Sequence, residues 1–119
     1  MFRLILDELL ATTHGALAAL FLDYEGETVE LVCDRDLSDH NLRILGAYQG
    51  IFLMQLRTLC SNADAGTPTR FKLQFADNTV LSYDVQDGYY VVLLGDASFN
   101  EGVAWRRLER CRERLLLEM

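Results

Sequence analysis

Cysteine and proline are both scarce in this chain of 119 residues, and each scarcity excludes a class of protein. The three cysteines, Cys33, Cys60 and Cys111, are odd in number and far apart, with no CxxC pair. This spacing excludes a disulfide framework and a zinc knuckle, and it favours a reduced, cytoplasmic protein. There is one proline, Pro68, and no glycine-rich or low-complexity stretch. Nothing resembling a linker divides the chain, so we expect a single domain over 1–119.

Basic charge and long apolar runs are also lacking. Eleven Lys and Arg residues face 18 Asp and Glu residues, a formal net charge of -7. A nucleic-acid binder needs a concentrated basic footprint, so we expect no nucleic-acid partner. No apolar run reaches the roughly 20 residues that cross a bilayer, and the start of the chain lacks the pattern of a signal peptide. We therefore predict no membrane insertion.

Signatures of catalysis and of cofactor binding are missing as well. The sequence contains no GxxxxGK[ST], GxGxxG, HExxH or GxSxG motif and no paired Cys and His spacing. The carboxylates Asp34, Asp36 and Asp39 lack the glycine and closing glutamate of a calcium loop, so helix capping explains them better. His14 and His40 stand at predicted helix ends. We therefore predict a protein that is not an enzyme and that holds no metal or cofactor.

Hydrophobic periodicity predicts eight elements in the order α-β-β-α-β-β-β-α. Asp36 and Ser38 are candidate N-caps for the second helix, and Ser98 with Glu101 forms a predicted capping box for the last one, which runs nearly to Met119. The predicted elements are a helix over 2–13, strands over 16–23 and 28–34, a helix over 39–62, strands over 70–75, 79–85 and 89–94, and the terminal helix.

The polarity of the strands predicts how they are arranged in a sheet. The strands over 16–23 and 89–94 are apolar on both faces, which is typical of central strands covered on two sides. Placing them side by side gives an antiparallel sheet of order 2-1-5-4-3, with the alternating second and third strands at the edges. On the third strand Phe71, Leu73 and Phe75 share the inward face. The predicted fold class is α/β, in the α+β sense, with helices on both faces of five strands.

The second predicted helix is apolar around too much of its circumference for a helix with one buried face. Gly46 and Gly50 lie on a separate side, where another backbone could approach. A second copy of the chain is the simplest cover for the excess apolar surface, and the edge of the third strand offers a second contact. The alternatives are a helix that is central in the monomer, and a strand edge protected by Arg70 and Lys72. One apolar stripe consists of Leu42, Leu45, Phe52, Leu56 and Leu59, with Gln49 within it, and the other of Ile44, Tyr48 and Ile51.

The last predicted helix carries five arginines that admit two interpretations. A clamp for a transferred phosphate is conceivable. The stronger interpretation places the arginines, with the neighbouring glutamates, on a solvated side opposite an apolar stripe. Trp105 lies off that stripe, either packed over the helix edge or available to a partner. The arginines are Arg106, Arg107, Arg110, Arg112 and Arg114, and the stripe is Ala104, Leu108, Cys111 and Leu115.

The ordered set of elements resembles the Roadblock family, the group of dynein light chains and bacterial gliding-motility regulators. The segments that carry the resemblance are GALAALFLDYEGETVELV, the apolar second helix, DGYYVVLLGDASFNEGVAWRRL and the arginine-rich terminal helix, so it spans the whole chain. The resemblance implies a profilin-like α/β/α sandwich. It also implies a homodimer in which the second helix packs on its copy and the third strand pairs across the two-fold axis. The dimer interface it indicates is Ile44, Tyr48, Ile51, Gln55, Phe71, Leu73 and Phe75.

The same resemblance implies a function without catalysis. Members of this family bind and regulate Ras-like small GTPases or act as adaptors, and those that activate a GTPase adjust its own catalytic residues. A sensor for small ligands of the PAS type, with an internal cavity, and a structural adaptor are the alternatives. By analogy, the exposed positions expected to contact a GTPase are Asp39, Arg43, Ala47, Gly50, Met54 and Arg57.

Overall fold

The computed structural model describes residues 1–34 and 36–119, and its elements follow the predicted order. Predicted and observed bounds differ by at most about two residues at the ends, which is the usual uncertainty of element boundaries. The elements are α1 (Phe2–Thr12), β1 (Ala16–Leu22), β2 (Thr28–Cys33), α2 (Asp39–Asn62), β3 (Arg70–Gln74), β4 (Thr79–Gln86), β5 (Tyr89–Gly95) and α3 (Glu101–Leu117).

The five strands form one antiparallel sheet of order β2-β1-β5-β4-β3, which confirms the predicted arrangement. All seven residues of β1 are buried, and β5 is buried apart from Tyr89 and Leu94. The two strands pair with Ala19 opposite Leu93 and Leu20 opposite Val92. Because both faces of this central pair are covered, the continuous apolar runs in β1 and β5 are required by the fold.

The helices form a layer on each face of the sheet. On one face α1 and α3 cover Phe21 of β1 and Leu93 of β5, and on the other α2 covers Leu20 and Val92. Alternate side chains of each central strand therefore enter different cores. Cys111 of α3 lies in the first core, where burial raises the pKa of its thiol to about 12 and so keeps it protonated at neutral pH. In the described parts of the chain, no helix has the length and apolar character needed to span a membrane.

The predicted capping box of α3 is wrong. The N-cap is Asn100, whose side-chain oxygen accepts a hydrogen bond from the backbone N–H of Val103 at 3.1 Å. Ser98 lies in the preceding turn, where its hydroxyl donates to Oδ1 of Asp96 at 2.6 Å. Glu101 does not reach back to Ser98: the backbone N–H of Ser98 donates to Oδ1 of Asp96 at 2.8 Å, and the Glu101 carboxylate accepts from Nζ of Lys72 on β3. Ser98 and Asn100 are both suited to capping and stand two residues apart, and the conformation of the turn places Asn100 at the N-cap.

Replacement of Asn100 by alanine should lower the free energy of unfolding by about 1 kcal/mol, because the amide of Val103 loses its partner at the helix start. Ser98→Ala is the matched control and should change the unfolding free energy by less than about 0.5 kcal/mol, since Ser98 is exposed and lies outside the helix. Urea unfolding of both variants provides the measurement. A larger loss in Ser98→Ala than in Asn100→Ala would contradict this assignment of the cap.

The expectation that all five arginines of α3 lie on a solvated side is also wrong in one case. Arg112 turns back to the sheet and donates to the carbonyl oxygens of Asp84 at 2.6 Å and Val85 at 3.0 Å, at the end of β4. Its guanidinium also lies 5.3 Å from the ring centroid of Tyr83. Trp105 packs edge-on against the same Tyr83 ring. Of the two alternatives for this tryptophan, packing over the edge of the helix is therefore the one observed. These contacts fix α3 against β4.

Candidate protein-interaction surface on the second helix

The helix α2 begins at a well-formed cap. The hydroxyl of Ser38 accepts from the backbone N–H of Asn41 at 3.1 Å, which satisfies one of the donors left open in the first turn. One turn further, Nε of Arg43 donates to Asp39 at 2.7 Å across the exposed surface. The two residues predicted at the start of the partner surface therefore form an ion pair with each other, and both stay accessible to solvent.

The side of α2 that faces the sheet contains its two glycines. A Cβ atom on Gly46 would lie 2.8 Å from Cδ2 of Leu22, and one on Gly50 would lie 2.5 Å from the hydroxyl of Tyr90. Such distances are too short for any methyl group. The glycines therefore bring α2 close to the side chains of β1 and β5. The prediction that they admit another backbone on a separate side is wrong.

Three polar contacts fix the position of α2 on the sheet. The hydroxyl of Tyr90 donates to the carbonyl oxygen of Gly46 at 2.8 Å, and burial raises the pKa of Tyr90 to about 12, so the proton stays in place at neutral pH. The hydroxyl of Ser82 donates to Oε1 of Gln49 at 3.3 Å in the core. Gln49 interrupts the apolar stripe because it reaches this buried partner on β4. Near the end of the helix, Nη2 of Arg57 lies 2.5 Å from Oδ1 of Asp84.

The outward side of α2 presents a continuous row of apolar side chains to solvent. Their exposed fractions range from 42% for Ile44 to 63% for Met54. Isolated exposed apolar residues are normal, but a contiguous row on one helix marks a surface that binds another molecule. Leu59, which the spacing placed in one stripe with the buried Leu42, is 64% exposed as well. We call the row formed by Ile44, Tyr48, Ile51 and Met54 the α2 ridge.

A shallow groove of about 370 Å³ runs beside the α2 ridge. One wall is α2 itself, and the other is the β1–β2 turn, which contributes Tyr24, Glu25 and Gly26. This wall was not among the predicted partner-binding residues, although an aromatic residue in a tight turn, such as Tyr24, is a usable signal for a binding surface. We call this feature the α2 groove, and its helical lining is Ala47, Gly50, Ile51, Met54, Gln55 and Thr58.

The predicted partner-binding residues fall into three groups in the structure. Ala47, Gly50 and Met54 line the α2 groove. Asp39 and Arg43 form an exposed ion pair near the start of α2, before the helical residues that line the groove. Arg57 differs from the expectation of an exposed position, because it is half-buried and bound to Asp84. Ala47 and Gly50 are also only partly exposed, since the neighbouring turn covers one side of Ala47 and the Tyr90 ring lies against Gly50.

The predicted dimer residues on β3 differ in how accessible they are. Phe71 and Leu73 are half-buried against the core beneath α2. Phe75 follows the end of the strand and is 52% exposed. The charged side chains of the strand turn to the other face, where Nζ of Lys72 reaches Glu101 at 3.0 Å and the Arg70 guanidinium lies 4.6 Å from the ring centroid of Trp105. On β3 the backbone edge is therefore more available to a partner than the apolar side chains.

The described residues include no group of three or more His, Cys, Asp or Glu side chains placed to hold a metal ion. The surface around α2 instead offers apolar area, two exposed charges and a row of backbone groups on β3. Such a combination is chemically suited to binding another protein, because apolar anchors supply affinity and rim charges supply orientation.

Several solved structures have a fold similar to that of this chain. A Roadblock/LC7 domain from Streptomyces avermitilis superimposes with a TM-score of 0.85 and 12% identity, covering 98% of each chain. The gliding protein MglB from Thermus thermophilus gives a TM-score of 0.84 and 18% identity, covering 94% of this chain and 83% of its own. Profilin II from Acanthamoeba castellanii gives 0.66 and 15% identity, covering 99% and 98%.

These likenesses show that the chain has a Roadblock/LC7 fold of the profilin-like type, as its sequence pattern indicated. An MglB structure described as having a tetrameric arrangement is also similar, at 18% identity and a TM-score of 0.84, covering 94% of this chain and 82% of that one. No protein-family model and no curated protein sequence matches the chain.

Proposed function

We propose that this chain, folded as a Roadblock/LC7 domain, is a cytoplasmic, homodimeric regulator or scaffold without enzymatic activity that binds a Ras-like small GTPase. The α2 ridge is the observation that carries the proposal. It consists of four large apolar side chains, all more than 40% exposed, on a helix whose other side is fixed to the sheet. The gliding protein MglB from Thermus thermophilus shares this fold, which supports the proposal.

The shape and chemistry of the ridge support the proposed homodimer. A two-fold pairing puts the same patch on both partners, so the ridge side chains Ile44, Tyr48 and Ile51 can cover their own copies. We propose Ile44, Tyr48, Ile51 and Gln55 as the helical half of that interface. The other half is the open edge of β3, which can pair with its copy through backbone hydrogen bonds and bring the exposed Phe75 into contact. A similar MglB with a tetrameric arrangement supports self-association of this fold.

The surface that remains accessible beside the paired helices is the proposed GTPase site. Met54 and Ala47 in the α2 groove provide apolar contact, and Asp39 with Arg43 provides exposed charges near the start of α2. Arg57 supports the site by holding α2 to β4 through Asp84. In this proposal the chemistry of hydrolysis belongs to the residues of the GTPase, and this chain changes their arrangement or merely holds the GTPase in place.

Binding to the Ras-like GTPase of the same organism tests the proposal. The GTPase is loaded in parallel with GDP and with a non-hydrolysable GTP analogue, and titrated with the protein in a calorimeter. We expect at least about tenfold tighter binding of one nucleotide form. Met54→Lys should weaken that binding about tenfold or more, because it places a charge in the α2 groove. Leu4→Lys, an equally exposed apolar position on α1, is the matched control and should bind normally.

Absence of binding to both forms at about 100 µM would contradict the GTPase assignment. If the protein were still dimeric in that case, a structural adaptor would be favoured. Recovery of a small molecule from the denatured protein by mass spectrometry would favour a ligand sensor.

A further inference from the structure

Three arginines of α3 differ from every other basic side chain in the described parts of the chain. Arg106, Arg107 and Arg110 are exposed, and no ion pair or hydrogen bond joins them to a described residue. The remaining described basic residues are all engaged: Arg3, Arg43, Arg57, Lys72 and Arg114 with carboxylates, Arg70 with aromatic rings and Arg112 with backbone carbonyls.

The lack of partners for these three arginines among the described residues is unusual because the chain has 18 Asp and Glu residues but only 11 Lys and Arg residues. In such a chain an exposed arginine normally finds an acidic neighbour. Glu109 and Glu113 lie on the same helix but make no ion pair with the three arginines. Across from them on α1, Glu8 is already bound to Arg114. Three positive charges without a described ion-pair partner within about one helical turn repel one another, and an external anion would relieve that repulsion.

The three side chains also converge on one surface recess. A depression of about 260 Å³ is lined by Val103 together with Arg106, Arg107 and Arg110. Arg107 and Arg110 additionally border a smaller recess of about 90 Å³ towards α1. Guanidinium groups bind carboxylates through two parallel N–H donors, and the planar fork is already formed in the free side chain. Three guanidinium groups that line one recess can therefore pair with two or three neighbouring carboxylates.

This recess lies on the α1 and α3 layer, on the opposite face of the sheet from α2. An occupant at α3 would therefore leave the α2 ridge and the α2 groove free. We propose that Arg106, Arg107 and Arg110 form a docking site for a short acidic segment of a second partner protein, so that one chain can join two proteins across its sheet.

The charge distribution favours a short peptide over an extended polyanion. A membrane surface or a nucleic acid would also meet Glu109, Glu113 and a protein of net charge -7, and long-range repulsion would oppose the approach. An acidic segment of a few residues is short enough to stay at the recess that Val103 and the three arginines line. A phosphate group would also accept hydrogen bonds from guanidinium groups. A single phosphate, however, does not need all three of the arginines that line the recess.

A fluorescein-labelled hexaglutamate peptide is a direct probe. Titration with the intact protein at about 50 mM salt should raise the fluorescence anisotropy, while a hexaglutamine peptide should give no change. The triple variant R106Q/R107Q/R110Q should bind hexaglutamate at least about tenfold more weakly. The control triple variant R3Q/R43Q/K72Q removes the same net charge from exposed, ion-paired positions and should bind within about twofold of the unmodified protein.

Several outcomes would overturn the proposal. One is the absence of hexaglutamate binding at about 1 mM protein. Another is an equal loss of binding in both triple variants, which would mean that total charge and not the recess determines binding. A third is preferential binding of the intact protein to phosphatidylserine vesicles over neutral vesicles without peptide binding, which would assign the arginines to a membrane. Circular dichroism of each variant verifies that α3 is still folded.

Discussion

Ile51→Glu should convert the proposed dimer into a monomer. Ile51 is half exposed at the centre of the α2 ridge. In a two-fold interface each substitution appears twice, so two carboxylates would face apolar surface without a partner. Burial of unpaired charges at such an interface costs several kcal/mol, and a loss of about 4 kcal/mol raises the dissociation constant about a thousandfold. Light scattering should then change from twice the chain mass to the 13.6 kDa of one chain.

Leu4→Glu provides the matched control for this experiment. It places the same charge on an exposed apolar position of α1, on the other face of the sheet, and the protein should stay dimeric. A dimeric Ile51→Glu variant would disprove the helical half of the interface and leave the β3 edge as the remaining contact. If the unmodified protein itself scattered light as a monomer, the dimer would have to be abandoned.

Gly50→Ala should destabilise the fold by about 2 kcal/mol and lower the melting temperature by roughly 8 °C. The added methyl group would lie 2.5 Å from the hydroxyl of Tyr90 and 2.9 Å from its ring carbon Cζ. Either Tyr90 moves and loses its hydrogen bond to Gly46, or α2 moves away from the sheet. Overpacking and the lost bond together exceed the gain of about 1 kcal/mol in helix propensity that alanine provides.

Two further variants separate these contributions. Gly102→Ala adds a methyl group to the exposed start of α3, where the nearest atom to the new Cβ would lie 3.6 Å away, so it should stabilise the protein by about 0.5 kcal/mol. In a Tyr90→Phe background the closest clash is absent, and Gly50→Ala should cost about 1 kcal/mol less than in the unmodified protein. Thermal unfolding of the double-mutant cycle measures this coupling. A Gly50→Ala variant as stable as the parent would show that α2 is not held closely against Tyr90.

The fold was predictable because strand polarity carries information about the whole sheet. Two strands without a polar face had to be central, and hairpin and meander connections then left little freedom for the other three. The orientation of helix α2 was harder to predict. Spacing shows that Gly46 and Gly50 share a side, but only the position of Tyr90 and Leu22 shows that this side faces the sheet. Periodicity defines the faces of a helix, and tertiary contacts decide what each face meets.

Predictions for single polar side chains were limited in two ways. A long side chain can bind a distant group, and neighbouring residues can compete for the same role. Arg112 stands among exposed charges in the sequence, yet its long side chain returns to two carbonyl groups of β4. Ser98 and Asn100 were both suitable caps, and the choice depended on the bond of Ser98 to Asp96. The outward positions Ile44, Tyr48, Ile51 and Gln55 needed no such detail, and the structure places all four on the exposed side of α2.

The orientation of the charged side chains on β3 has a consequence for solubility. Proteins commonly guard an open strand edge with lysine or other charges that repel an approaching chain. Here Lys72 is held by Glu101 and Arg70 lies over Trp105, so both charges are drawn towards α3. The five-residue edge of β3 therefore has little electrostatic protection against edge-to-edge stacking. If β3 pairs with its copy as proposed, a variant that cannot form this pair should aggregate at lower protein concentration than the unmodified protein.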